Sequence, residues 1–123
     1  MKKFTFLMAI LVMCINLVNA QVPRKKVIVE IATGTGCSYC PGAALGAEDL
    51  VKNGKSVGII EYHSYNTSDP YYNTLSETRN KTYYGVKGYP TANFDGQNPY
   101  ENGDQSNSLY SYFLPKYNTA IAV

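Results

Sequence analysis

The sequence predicts an α/β protein in which helices flank one mixed sheet of four strands, in the order β-α-β-α-β-β-α. Two apolar runs of strand length, at 27–32 and 56–62, enclose a segment with helical periodicity. Because a helical crossover joins these two strands, they are expected to be parallel. Later in the chain, Asp95-Gly96 predicts a tight turn between two antiparallel strands. The sheet is therefore expected to contain both kinds of strand pairing.

The beginning of the chain has the pattern of a secretory signal peptide. A pair of lysines precedes an apolar run over 4–18, and Val18-Asn19-Ala20 is typical of a cleavage site. We therefore predict a signal peptide over 1–20 and one domain over 21–123. The domain is expected to be exported.

The charge balance of the predicted domain argues against a nucleic-acid partner. When Lys2 and Lys3 leave with the signal peptide, the eleven basic residues fall to nine, which equals the nine acidic residues. Domains that bind nucleic acid usually carry a basic patch or stripe instead. We expect no nucleic acid among the partners.

The first predicted strand leads through a glycine-rich bend into a helix from about Cys37 to Asn53, which Gly54 ends. The strand is apolar on both alternating faces, as expected for a central strand that is covered on each side. Glu30 is the one charged residue within it. A buried carboxylate is unfavourable unless it is paired or protonated, so Glu30 is expected either to lie at an opening or to take part in the chemistry.

Turn and capping signals predict the remaining elements. Asp69 followed by Pro70 predicts the start of a second helix, with Asp69 as its N-cap, and Gly85 predicts its end. Two short strands are predicted at 91–94 and around 98–101. A last helix, which Pro115 should bend, is predicted from one apolar stripe: Leu109, Tyr112, Phe113, Tyr117 and Ala120.

Cys37 and Cys40 form a Cys-x-x-Cys motif at the predicted start of the first helix. A strand, a glycine-rich bend, this motif and a helix in succession are typical of a thioredoxin-like redox site. Free backbone N–H groups and the helix dipole at a helix start favour the thiolate, which is the species that attacks. We therefore predict Cys37 as the nucleophile and Cys40 as the resolving thiol.

The same motif has two other interpretations. It could be half of a structural zinc site, but such sites usually take four protein ligands. The predicted domain offers only Cys37, Cys40 and His63 from the Cys and His residues, so no metal is expected. It could also be an inert disulfide, although a bridge that closes so small a loop constrains the unfolded chain little.

A second segment, Gly88-Tyr89-Pro90-Thr91, resembles the part of thioredoxins and protein disulfide isomerases that carries their cis-proline. The resemblance implies that Pro90 is cis and lies against the Cys37–Cys40 pair. It also implies that the backbone of Tyr89 is free to bind a substrate strand. Pro90 is therefore counted with the catalytic residues and Tyr89 with those that bind substrate.

A narrower resemblance covers nearly the whole predicted domain. The segments 30–41, 62–63 and 88–96 are similar to a family of exported thioredoxin-like proteins of Gram-negative bacteria that is related to outer-membrane proteins. The resemblance implies a location in the periplasm or at the outer membrane. No cofactor is expected, since the two sulfurs carry the electrons. The protein is expected to be a monomer whose partners are cysteine-containing exported proteins and an unidentified electron donor or acceptor.

The sequence departs from thioredoxins at two places beside the motif. Gly36 stands where thioredoxins carry tryptophan, and the two residues between the cysteines are Ser38 and Tyr39. That pair is closer to the x-Tyr pair of periplasmic disulfide isomerases than to the Gly-Pro of reducing thioredoxins. Ser38 and Tyr39 are candidates for substrate binding, and the direction of electron flow stays open.

Two further polar residues have alternative interpretations. By the resemblance, Glu30 would match the buried carboxylate that relays a proton to and from the resolving cysteine. The alternative is a carboxylate in water at the end of a strand. His63, at the end of the second strand, could act as a base, but a lone histidine is more often structural.

From these observations we predict an exported enzyme, a thiol-disulfide oxidoreductase that exchanges disulfides with cysteines of other envelope proteins through Cys37 and Cys40. The alternative is a non-catalytic binding or assembly module of the cell envelope with the same fold, in which the pair is a passive disulfide.

Overall fold

The computed structural model describes residues 24–123; the predicted signal peptide, 1–20, lies outside this part of the chain. The predicted order of elements is confirmed. The strands are β1 (Val27–Thr33), β2 (Val57–His63), β3 (Thr91–Phe94) and β4 (Gln97–Tyr100). The helices are α1 (Pro41–Lys52), α2 (Thr74–Glu77), which continues as a π-helix over Thr78–Tyr83, and α3 (Tyr110–Ile121).

The four strands form one mixed sheet in the order β2-β1-β3-β4. β1 and β2 are parallel and in register from Val27 opposite Val57 to Thr33 opposite His63. β3 is antiparallel to both β1 and β4. The predicted α/β class and the parallel pairing across α1 are therefore confirmed. Because the parallel strands end together, the end of β1 and the end of β2 place their following loops side by side.

The main core lies between one face of the sheet and the helices α1 and α3. Val29 and Ile31 of β1 point to this face and pack with Leu50 of α1. Phe94 of β3 meets Phe113 of α3 edge to face, with ring centroids 5.4 Å apart. Full burial of side chains of this size stabilises by roughly 1.5–3 kcal/mol each. This packing fixes α1, and the loop before it, over the end of β1.

The other face of the sheet is covered less completely than the apolar pattern predicted. Ile28 and Glu30 alternate with the core residues and therefore point to this face. Ile28 is 36% exposed, and Ile60 of β2 is 42% exposed. The expectation that β1 is covered on both faces is thus correct for the side that faces α1 and only partly correct for the other.

Two helix starts differ from the prediction. α1 begins at Pro41 and not at Cys37, because the segment 37–40 forms a separate turn in which the Cys40 N–H donates to the Cys37 carbonyl (3.2 Å). α2 begins at Thr74 and not after Asp69. Asn73 caps it, with extended φ and ψ and a side chain that accepts the Ser76 N–H at 2.8 Å.

Among residues 24–123, no helix combines the length and the apolar character that crossing a bilayer requires.

Candidate functional site

The Cys-x-x-Cys motif forms a disulfide between β1 and α1. The Cα atoms of Cys37 and Cys40 are 5.4 Å apart, within the usual range for a bridged pair. The two residues between them are exposed, Tyr39 by 54%. The cysteines themselves are nearly covered, with 6% of Cys37 and 4% of Cys40 exposed. Ser38 and Tyr39 are therefore the part of the motif that a large partner would meet first.

The backbone N–H groups at the start of α1 are not free, which corrects the expectation that they point at Cys37. Pro41 has no N–H, the Gly42 N–H donates to the Asp104 carbonyl (2.9 Å), and the Ala43 N–H donates to the Cys40 carbonyl (3.0 Å). Cys40, not Cys37, is the N-cap residue. Because the effect of the helix dipole falls off within the first turn, its influence on Cys37 is weaker than predicted.

The loop between β4 and α3 lies against the motif. The Asp104 N–H donates to the Tyr39 carbonyl (3.0 Å), while the Leu109 N–H donates to the Gly42 carbonyl (3.0 Å). The neighbouring Gly103 is so close that a Cβ atom built on it would lie 2.4 Å from the Tyr39 oxygen. This loop, which the sequence did not connect with the site, therefore helps to cover the disulfide.

Pro90 lies at the same place. The Tyr89–Pro90 peptide bond is cis, as the resemblance implies. The Cβ atom built on Gly103 would lie 2.6 Å from the Pro90 Cδ as well as close to Tyr39. Pro90 and the Cys-x-x-Cys turn thus contact the same glycine, so the two motifs, fifty residues apart in the chain, meet at one site.

The Tyr89 side chain makes contacts that fix the position of this residue. Its hydroxyl group is 2.8 Å from the Ser64 hydroxyl and donates to the Ser64 carbonyl at 3.1 Å. Its ring packs edge to face with that of Tyr65, with centroids 5.6 Å apart. These contacts orient the segment before Pro90. Binding of a substrate strand by the Tyr89 backbone stays a prediction.

Glu30 belongs to a different cluster, on the face of the sheet away from α1. Its carboxylate accepts hydrogen bonds from the Tyr62 hydroxyl (2.9 Å), from Arg79 through Nε (3.0 Å) and Nη2 (3.1 Å), and from the Tyr84 hydroxyl. Only 5% of Glu30 is exposed, so the alternative of a carboxylate in water is wrong. These partners tie Glu30 to the second helical segment, and the proton-relay role gains no support from them.

The tyrosines of this cluster act as donors. Burial, and after it the Glu30 carboxylate that each hydroxyl faces, raises the pKa of Tyr62 and of Tyr84. Both hydroxyls therefore keep their protons at neutral pH. Together with the Arg79 guanidinium they satisfy the charge of a carboxylate that would otherwise be unfavourable to bury.

His63 is paired with a buried acid. Its Nδ1 lies 3.0 Å from the Asp69 Oδ2, and its ring packs against that of Tyr71, with centroids 5.1 Å apart. The Asp69 side chain is wholly buried, and it accepts the N–H of Tyr71 (2.9 Å) and of Thr35 (2.6 Å). Thr35 lies two residues before Cys37, so this pair contacts the loop that leads from β1 to the Cys-x-x-Cys motif.

Asp69 is ionised in this position. Burial raises its pKa, but the hydrogen bonds from His63 and from the backbone N–H groups of Tyr71 and Thr35 outweigh burial and lower the pKa to about 2. The sequence predicts Asp69 only as a helix cap, and this second role is not apparent from it. The nearby His63 was the one signal that could have pointed to a pair.

The zinc interpretation finds no set of ligands around the motif. In the part of the chain that the structure describes, no group of three or more His, Cys, Asp or Glu side chains is placed to hold a metal ion. His63, the third candidate ligand, uses its Nδ1 for Asp69.

Comparisons with family models, with curated proteins and with solved structures found no match to the chain.

Proposed function

We propose that the protein is a thioredoxin-like thiol-disulfide oxidoreductase. The observation that carries this proposal is the Cys37–Cys40 disulfide in the turn between β1 and α1, with Pro90 beside it. A parallel β-α-β unit followed by an antiparallel pair and a last helix is the element order expected of that fold. The resemblance of 30–41 and 88–96 to exported thioredoxin-like proteins of Gram-negative bacteria supports the same reading.

The chemistry needs only the two sulfur atoms. A substrate thiolate attacks the Cys37 sulfur, breaks the Cys37–Cys40 bond and forms a mixed disulfide, while Cys40 leaves as a thiolate. A second substrate thiolate then attacks the substrate sulfur of the mixed disulfide and releases Cys37. Two electrons pass from the substrate to the protein, and the substrate gains a disulfide. The reverse sequence reduces a substrate disulfide, and a second thiol-disulfide couple must restore the starting form.

A passive disulfide in a binding or assembly module of the cell envelope is the second candidate, and one observation favours it. Both cysteines are nearly covered, and the backbone of Asp104 closes hydrogen bonds to the motif on both sides. A catalytic pair needs an approach to Cys37 through which a substrate sulfur can pass. The second candidate does not need one.

Alkylation of the reduced protein separates the two functions. An ordinary cysteine has a pKa of about 8.5 and reacts slowly below it. If the pair is catalytic, Cys37 of the reduced protein should react with iodoacetamide at a pH well below about 8.5, and Cys40 should react far more slowly. Cys37→Ser is the control that should abolish the fast phase. Two cysteines that both react only near pH 8.5 would favour the passive module.

Export is part of the same proposal, and the substrates would then be cysteine-containing exported proteins. The basis is the lysine pair, the apolar run and the Val18-Asn19-Ala20 site in the sequence. Protein isolated from a bacterial envelope should begin at Gln21 when its N-terminus is sequenced. A chain that still begins at Met1 would refute cleavage of the predicted signal peptide.

A further inference from the structure

Asp69 makes the connection between the end of β2 and the loop that leads to Cys37. Its carboxylate is wholly buried and accepts the Thr35 N–H at 2.6 Å, the shortest of the hydrogen bonds to its three partners. A hydrogen bond from a backbone N–H to a buried carboxylate is stronger than one between neutral groups. The position of Thr35 is therefore determined by a residue thirty-four positions later in the chain.

The loop before Cys37 rests directly on the segment that carries Asp69. A Cβ atom built on Gly34 would lie 2.4 Å from the Tyr65 Cβ and 3.1 Å from the Asp69 Oδ2. The Gly34 carbonyl in turn accepts the Cys37 N–H at 3.1 Å. Hydrogen bonds and close packing thus run without interruption from Asp69 through the loop to the backbone of Cys37.

We propose that Asp69 is a positioning residue for the Cys37–Cys40 couple, which it influences through the Thr35 N–H and through its fixed negative charge. This inference rests on the proposed function, since it concerns the reactivity of the same pair. His63 orients the carboxylate through Nδ1. A negative charge near a thiolate raises the free energy of the thiolate. Asp69 therefore favours the disulfide over the reduced form.

The test compares the redox equilibrium of Asp69→Asn with that of the unchanged protein. Asparagine removes the charge and keeps one oxygen that can accept the Thr35 N–H, while its NH2 group takes the place of the oxygen that accepts the Tyr71 N–H. The equilibrium constant for reduction by dithiothreitol at pH 8 should shift toward the reduced form by more than about twofold. A purely structural residue would destabilise the oxidised and reduced proteins equally, and this constant would not change.

Asp95→Asn is the matched control. Asp95 also accepts a backbone N–H of β1, that of Ile28 at 2.8 Å, but at the end of the strand away from the disulfide. Its removal should leave the redox equilibrium within twofold of that of the unchanged protein. An equilibrium constant for Asp69→Asn that is also within twofold would overturn the inference.

A second variant keeps the test decisive if Asp69→Asn does not fold. Asp69→Ser also lacks the charge and retains a hydroxyl group as an acceptor, and the same shift is expected. Dithiothreitol reduces any accessible disulfide, whether or not the protein is an enzyme. Failure of this inference is therefore distinguishable from failure of the proposed function, which the alkylation of Cys37 tests.

Discussion

Substitution of Gly103 by alanine should move the loop between β4 and α3 away from the Cys-x-x-Cys motif. The added Cβ would lie 2.4 Å from the Tyr39 carbonyl oxygen and 2.6 Å from the Pro90 Cδ. One neighbour is backbone and the other a proline ring that is itself fully buried, so neither can rotate away as the end of a flexible side chain could. The loop has to move instead.

The size of the effect follows from the contacts that the movement breaks. Two hydrogen bonds join the Asp104 backbone to the motif, one to Tyr39 and one from Gly42, and each contributes about 1 kcal/mol net. Overpacking in a region without space adds about 1–3 kcal/mol. We expect the free energy of unfolding of Gly103→Ala to fall by about 3–5 kcal/mol.

Urea denaturation of the oxidised protein measures this loss, and the rate of reduction by dithiothreitol reports whether the disulfide has become accessible. Gly88→Ala is the matched control, because a Cβ at Gly88 would have no heavy atom within 4 Å. Its effect on stability should stay within about 0.5 kcal/mol. A Gly103→Ala protein that is as stable as Gly88→Ala, and is reduced no faster than the unchanged protein, would refute the close contact between loop and motif.

Three further predictions concern single side chains. Cys40→Ala should retain substrate proteins as mixed disulfides on Cys37, visible on non-reducing gels, while Cys37→Ala should retain few; equal amounts would mean that the two roles are wrongly assigned. Arg79→Met removes the cation that pairs with Glu30. Since Arg79 is about one-third exposed and two tyrosines remain as donors, thermal denaturation should show that the free energy of unfolding falls by about 1–2 kcal/mol. An unchanged melting temperature would contradict the ion pair. The pKa of Asp69, about 2, lies below its ordinary value of 3.8, so the unfolded chain binds the proton first as the pH falls. The contribution of Asp69 to stability is therefore present above pH 3.8 and is lost as the pH falls through 2. In that window, denaturation curves should show a shallower decline of the free energy of unfolding for Asp69→Asn than for the unchanged protein.

The part of the fold that depends on local patterns could be predicted from the sequence. The apolar runs of β1 and β2 and the crossover between them determine the parallel pairing. Asp95-Gly96 predicts its turn because both residues tolerate positive φ, and their φ angles are 52° and 74°. Cys37 and Cys40 were assigned correctly as a pair because their spacing is itself a local constraint.

The predictions from the sequence fail where the role of a residue depends on side chains that are distant in the chain. Asp69 has the sequence context of a helix cap, but its carboxylate is used by Thr35 and His63, and Asn73 caps the helix instead. Glu30 finds its cation at Arg79, forty-nine positions later. No periodicity or local motif signals such a partner, because the contact exists only after the sheet and the second helical segment have come together.

Part of the cover over the Cys-x-x-Cys turn is the loop between β4 and α3, late in the chain. Leu109 donates its N–H to Gly42, and its side chain lies in the core beside Phe113 of α3. During synthesis the cysteines therefore leave the ribosome well before this loop and α3. Before the loop and α3 have docked, the pair lacks this part of its cover. The disulfide can therefore form before the loop and α3 have packed against the motif, and it becomes less accessible to other thiols once they have packed.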